Sequence, residues 1–334
     1  MQNPVFSIII PSYNTEWSML KECIDSVRGQ SFDKFECIFI DDCSEDTDSV
    51  KKIDDYLKCD DRFIFLQNSK NEGVSFSRNK GIETACGSYI LFVDADDRVD
   101  ESLLLKLYEY IEKNSSDTVF FELSKENNGV FAPVFRDINP IDCKVMSDEM
   151  VLRMIYSFDF NSPCNIMYSR RIISENNLRF RTDMKLGEDF LFNVDYLKNM
   201  KNGGYIRENL YYYRFSPKSA TKLFSFEKMQ KTGQGYFARK KLLDDYFGKT
   251  ADYDKLLIKL NSNYIIEIRR HILGAILIDR KDDEITKCLE FPWVCGVLSG
   301  KVSGLFNNIL KVVFKRKMLA ILRILAKLKK IAGA

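Results

Sequence analysis

Three aspartates close a short apolar run: residues 92–97 read FVDADD, placing Asp94, Asp96 and Asp97 together. Carboxylates this crowded repel one another unless a cation joins them. Oxygen-only ligation suits Mg²⁺ or Mn²⁺, usually through one or two carboxylates plus substrate phosphates. Alone, the triplet is read first as a solvated acidic turn. Two further acidic stations change that reading: DDCSEDT, Asp41 to Thr47, and GED, Gly187 to Asp189. Between the first two lies NEGVSFSRNKGI, Asn71 to Ile82, where Asn71 and Gly73 supply a turn and Arg78 offers a guanidinium that could reach a diphosphate. Acids with a metal and no catalytic histidine suit a displacement at a sugar–diphosphate bond. The metal neutralises the leaving diphosphate, and a second carboxylate takes the proton of the attacking hydroxyl. Asp189, at an expected helix start that favours its ionised form, is the candidate base. Glu188 and Asp189 fit plain helix N-terminal charge equally well, and spacing leaves both readings open.

These stations need a frame. Val5–Ile10, Phe35–Ile40, Arg62–Leu66, Tyr89–Val93 and Thr118–Glu122 are apolar runs of strand length. Between them, Glu16–Arg28 has helical spacing, and Asp46–Leu57, Gly73–Ala85 and Glu101–Lys113 read as further helices. That alternation predicts βαβ units and a mainly parallel sheet, whose strands end on one edge where ligands bind. After residue 125 the alternation breaks. A strand is expected within 129–135, helices over 148–157, 169–175 and 188–199, a strand over 209–215, and long helices over 225–280.

Composition narrows the chemistry. The chain has 334 residues, 45% of them hydrophobic and 29% charged, which is ordinary for a soluble globular protein. Nine cysteines without a C-x-x-C pair predict reduced thiols of a cytosolic protein rather than a zinc site or a disulfide framework. No G-x-G-x-x-G or G-x-x-x-x-G-K-[ST] follows the first strand, which argues against dinucleotide and P-loop enzymes. The single histidine, His271, falls in the helical C-terminal region and is expected to pack rather than catalyse, so a hydrolase triad is not expected. The N-terminus lacks the basic region of a signal peptide, and no apolar run is long enough to predict a transmembrane helix.

In order and spacing, SIIIPSYN (7–14), IDDCSEDT (40–47), NEGVSFSRNKGIETACGSYILFVDADD (71–97) and GEDFLFN (187–193) resemble the bacterial family 2 glycosyltransferases, inverting enzymes of the GT-A fold. Each motif is weak alone; the ordered set is specific. The resemblance implies an α/β GT-A fold with a mainly parallel central sheet flanked by helices and a helical C-terminal extension. It implies a catalytic domain over 1–220, with a nucleotide-sugar part at 1–98 and an acceptor side at 99–220, then a helical extension over 221–300. Pro11 and Tyr13 would line the base pocket. Asp41, with Asp42 beside it, would contact base or ribose, and Arg78 would lie near the nucleotide. Asp94 would contact ribose or donor sugar, Asp96 would bind Mn²⁺ or Mg²⁺, and Asp189 would be the general base. Asn71, Gly73, Asp97 and Glu188 would support them. A UDP-linked hexose or N-acetylhexosamine is the common donor for such sites, and a glycan, often lipid-linked, the acceptor. Ser77 and Glu101 stand where the family often has Ala and Pro. SPCNIMYSRRI (162–172), and Tyr212–Arg214 followed by Ser219 and Thr221, resemble segments of capsule and O-antigen transferases.

Residues 301–334 carry nine Lys or Arg and no acid, leaving 41 of the 50 basic residues against all 48 acids in 1–300, a sum of −7. At about 100° per residue eight of the nine cations fall within an arc of roughly 160°, Lys317 excepted. Leu310, Val313, Ile321, Ile324, Leu325 and Leu328 lie largely opposite. One basic amphipathic helix is therefore expected, suited either to an anionic membrane surface at the inner face of the plasma membrane or to packing on protein. Nucleic acid is not expected as a partner, because no recognition motif accompanies the charge. The rival readings are a sugar-1-phosphate nucleotidyltransferase, whose glycine-rich loop is missing here, and a non-catalytic sugar-binding scaffold.

Overall fold

The computed structural model describes residues 3–127, 130–134, 148–156, 161–184, 187–214 and 224–331. It divides into two compact units: Met1–Ser147 with Asp159–Ser216, and Asp148–Phe158 with Pro217–Ala334.

The first unit is built on a mixed sheet. β1 (Phe6–Ser12), β2 (Phe35–Asp41), β3 (Phe63–Gln67) and β4 (Tyr89–Phe92) are mutually parallel in the order β3-β2-β1-β4. β1 is buried along its whole length, as expected of a central strand covered on both faces. Pro11 is tolerated inside it because β4 stops opposite Ile9. The side on which Ile9 accepts the Val93 N–H has no strand left to bond at residue 11. Helices α1 (Trp17–Arg28), α2 (Thr47–Leu57) and α3 (Val74–Thr84) make the connections.

Beyond β4 the sheet departs from the expected parallel run. β8 (Ile166–Ser169), a strand not anticipated, pairs antiparallel with both β4 and β6 (Thr118–Asn127). β9 (Gly203–Tyr213) runs parallel to β6 and starts six residues before the expected Asn209. The short β5 (Arg98–Val99) pairs with β9, and β7 (Val130–Val134) with β6. Gly204 lies within β9. A Cβ there would sit 2.2 Å from the Tyr110 ring of α4 (Leu103–Asn114), so glycine lets the helix lie close on the strand. α6 (Arg170–Glu175) follows β8, and α7 (Glu188–Leu197) follows Gly187, which is left-handed at φ 91°.

The second unit gathers α5 (Asp148–Tyr156), α8 (Phe226–Phe247), α9 (Tyr253–Leu277), α10 (Asp282–Leu289) and α11 (Pro292–Ser299). Trp293 fills its core, so close to Gly233 that a Cβ there would meet the indole at 2.1 Å. His271 is buried in this unit, 2.8 Å from Thr232 Oγ1. The expected single tail helix is two: α12 (Leu305–Lys315) and α13 (Leu319–Ile331), broken at Lys317, whose φ is 48°. Leu310 and Val313, expected on the apolar face opposite the cations, are buried, so that part of the face packs on protein. Every cysteine among the described residues is a free thiol.

Candidate active site

Strands β1 to β4 are parallel, so Ser12, Asp41, Gln67 and the residues after Phe92 come out on one edge of the sheet. α3 organises what is found there. Its buried side is largely polar: Ser75, Ser77 and Arg78, with Gly81 and Ile82. Gly81 presses on β1, where a Cβ would lie 2.4 Å from Ile9 Cγ2.

The first station holds the start of this helix. Asp42 is buried. Its Oδ1 accepts from Asn68 Nδ2 (2.7 Å) and the Glu72 N–H (3.0 Å), and its Oδ2 from the Gly73 N–H (2.7 Å). Gly73, at φ 90°, is the residue before α3. Asp42 thus fastens the turn rather than facing open space. Asp41 is also buried, accepting from Ser44 Oγ (2.6 Å), the Ser44 N–H (3.1 Å) and Gln67 Nε2 (3.1 Å). Pro11 is buried beside it in β1, opposite Ile40. Tyr13 is exposed, donating to Glu45 Oε1 at 3.1 Å. The two loops are sewn together by the Asn14 N–H to Ser44 Oγ (2.9 Å) and the Glu45 N–H to Asn14 Oδ1 (2.9 Å). Asn71 is exposed on the turn.

The other two stations meet at Arg78. Its Nη1 donates to Asp189 Oδ1 (2.6 Å) and its Nη2 to Asp94 Oδ1 (2.9 Å), with Phe180 5.3 Å from the guanidinium carbon. Asp94 and Asp189, the latter 111 positions beyond Arg78, are thereby joined through one buried side chain. Burial by itself would lower the pKa of Arg78, but Asp189 and Asp94 outweigh that and raise it. For Asp189 burial is the largest influence and pushes the carboxyl up. Arg78 pulls it back, Glu188 and Asp94 push it up again, and the result is about 7. Its Oδ2 has no hydrogen bond among the described residues, so it can accept a proton. Glu188 is buried beside it. The next residue of α3, Asn79, exchanges two 2.8 Å bonds with the Phe180 backbone, fixing the segment that carries Phe180.

The aspartate triplet divides by environment. Asp97 is buried, accepting from Tyr211 Oη (2.6 Å) and the Arg214 N–H (2.7 Å); burial and Asp94 raise its pKa well above the usual range. Tyr211 Oη in turn accepts the Asp94 N–H at 3.2 Å, so β9 fastens the whole turn. Asp96 is half-buried and has no ion-pair partner among the described residues; burial, then Asp94, push its pKa up, with Arg214 a weaker opposing influence. A half-buried carboxylate next to Asp94 with no ion-pair partner among the described residues fits a divalent metal. Among the described residues no three His, Cys, Asp or Glu converge into a group that could hold a metal ion by themselves. Sequence reasoning did not single out Tyr211's link or assign Arg214 its charge near Asp96. A Tyr-rich strand gives no sign of either until β9 is seen to pair with β5.

Comparison with known proteins adds a second line. A family profile described as Glycosyl transferase family 2 matches residues 7–176. EpsJ of Bacillus subtilis, an uncharacterized glycosyltransferase, is 32% identical over 223 residues, covering 66% of this chain and 64% of that one. The poly(ribitol-phosphate) beta-glucosyltransferase of Bacillus spizizenii is 32% identical over 200 residues, 58% of this chain and 30% of its own. The chain therefore spans less than two thirds of the length of either relative. The crystal structure of S. aureus TarS 1-349 in complex with UDP-GlcNAc superposes with a TM-score of 0.69 at 18% identity, covering 98% of this chain and 92% of that one. The fold is the same mixed α/β sheet with flanking helices and a helical C-terminal region.

Proposed function

The chain belongs to glycosyl transferase family 2, and from that premise we propose that it is an inverting glycosyltransferase moving a sugar from a nucleoside-diphosphate donor, a UDP-sugar, to a hydroxyl of a surface glycan. The observation that carries this reading is the Asp189–Arg78–Asp94 bridge, which sets a carboxylate with a pKa of about 7 beside a buried guanidinium on the ligand-binding edge. Asp189 Oδ2 takes the proton of the acceptor hydroxyl as that oxygen attacks the anomeric carbon. The bond from that carbon to the diphosphate breaks, its electrons leave with the nucleoside diphosphate, and configuration inverts. Arg78 keeps Asp189 ionised near neutrality and offers positive charge to the departing phosphates. Asp96, with Asp94 beside it, would hold Mn²⁺ or Mg²⁺; when bound, such an ion neutralises charge developing on the diphosphate. Tyr13, exposed beside the 41–45 loop, would meet the nucleoside.

Relatives named as poly(ribitol-phosphate) transferases support a surface-polymer acceptor, and a neighbour crystallised with UDP-GlcNAc supports that donor as the first to try. We extend the reading to a lipid-linked acceptor worked on at the inner face of the plasma membrane, supported by the basic C-terminal segment. Among the described residues no helix is long and apolar enough to cross a membrane. The test is a donor screen for released nucleoside diphosphate, with Mn²⁺ and with chelator. Chelation and Asp96→Ala should each lower turnover by about a hundredfold or more. Full turnover under chelator would remove the metal from the account.

A further inference from the structure

α12 is apolar on two sides, and only one of them is used. Leu310, Val313 and Phe314 are buried against the second unit's own helices. Leu305, Ile309 and Val312, spaced four and three apart and so on one face, stand 80%, 51% and 49% exposed, and Phe306 adjoins them at 52%. The Phe306 ring lies under Arg269 of α9, 5.4 Å from its guanidinium carbon. Lys315 and Lys311 sit about 60–100° around the helix from Val312. Lys301, Lys315 and Arg316 are exposed and in no ion pair among the described residues, whereas Lys317 pairs with Glu290 (2.6 Å) and Arg323 with Asp282. The described cations of the tail therefore split: Lys317 and Arg323 are paired on the fold, while Lys301, Lys315 and Arg316 are not.

We propose that the outward face of α12, Leu305, Phe306, Ile309 and Val312 with Lys301, Lys315 and Arg316 around it, docks on an anionic lipid bilayer. An interfacial helix needs an aliphatic and aromatic stripe free of polar atoms and a basic flank for the lipid phosphates, and α12 presents both. No acid occurs in residues 301–334 to oppose that contact. This places the membrane-facing surface on a different face from the one the tail's periodicity suggests, since Leu310 and Val313 of that face are core. It deepens the membrane-side reading above and rests on it only for the identity of the acceptor.

The test uses the full chain and sedimentation with vesicles of phosphatidylglycerol and phosphatidylcholine in equal parts, against phosphatidylcholine alone. Wild type should bind the anionic vesicles and not the neutral ones. The double variant Ile309→Asp/Val312→Asp should lose about tenfold or more of that binding, with unchanged circular dichroism. Phe237→Ser, at an exposed aromatic on α8, should bind as wild type. Failure of wild type to bind, or unaltered binding by the double variant, overturns the proposal. So does a wild-type dimer in sedimentation equilibrium that the double variant abolishes, because the stripe would then be covered by a second copy. Nucleoside diphosphate release is measured in parallel: vesicle binding without release sinks the enzyme reading alone, and release without vesicle binding sinks this one alone.

Discussion

The chemistry of this protein turns on how one guanidinium is shared. Arg78 touches two carboxylates from opposite halves of the first unit, and its charge decides the protonation of one of them. Burial raises the Asp189 carboxyl, Arg78 lowers it, and the balance falls at about 7. A base must be deprotonated to work, so kcat/KM should fall as pH drops through about 7. Arg78→Met removes the lowering influence, and the acid limb should move upward by about one unit or more. Arg78→Lys should shift it less. A limb that stays in place in Arg78→Met would show that Asp189 does not titrate in the rate. Residue types and order made Arg78, Asp94 and Asp189 legible in advance, because motif spacing carries them. Asp97 was expected to support the site, but its partners were not legible: Tyr211 lies 114 positions away, on a strand pairing that no local pattern announces.

At the scale of elements, α3 links the stations. Asp42 fastens its first turn, Asn68 Nδ2 reaches Ser77 Oγ at 3.0 Å, and Asn79 ties it to the Phe180 backbone. Asp42→Ala would leave the Glu72 and Gly73 N–H groups without their acceptor, at a cost of about 2–3 kcal/mol. Denaturant unfolding should record that loss together with a drop in turnover, as Arg78 loses its fixed position. Unchanged stability would mean the turn is held by something other than Asp42. The helix was legible from its length and flanking glycine, although its buried side is polar and carries little apolar periodicity. The parallel half of the sheet was legible from alternation. β8 was not: IMYS is only four residues long, and the NSPCN turn signal before it does not say which strands it joins. Its antiparallel place between β4 and β6 is a tertiary choice.

At the scale of the whole chain, the two units carry different burdens. The second unit's buried His271 has its pKa lowered to about 4, mainly by burial, with Lys228 and Arg270 adding to it. A depressed histidine contributes stability above its unfolded value of about 6.5 that is lost as pH falls through about 4, worth about 3 kcal/mol. His271→Gln should flatten that decline in a melting series from pH 7 to 4; an equal decline in both proteins would place the acid sensitivity elsewhere. Charge asymmetry made the basic tail legible, but not its break or its faces. α13 buries Leu322 and Ala326, so deleting the tail would uncover core as well as remove cations. Point changes on the outer stripe of α12 are therefore the cleaner probe of membrane contact.

The central claim is that Asp189 is the base of a sugar transfer, and acceptor-dependent release of nucleoside diphosphate from UDP-GlcNAc in Mn²⁺ tests it most directly. Asp189→Asn keeps the shape and removes the proton acceptor, so turnover should fall by about a thousandfold while donor binding persists. Turnover of Asp189→Asn within a few fold of wild type would contradict the account.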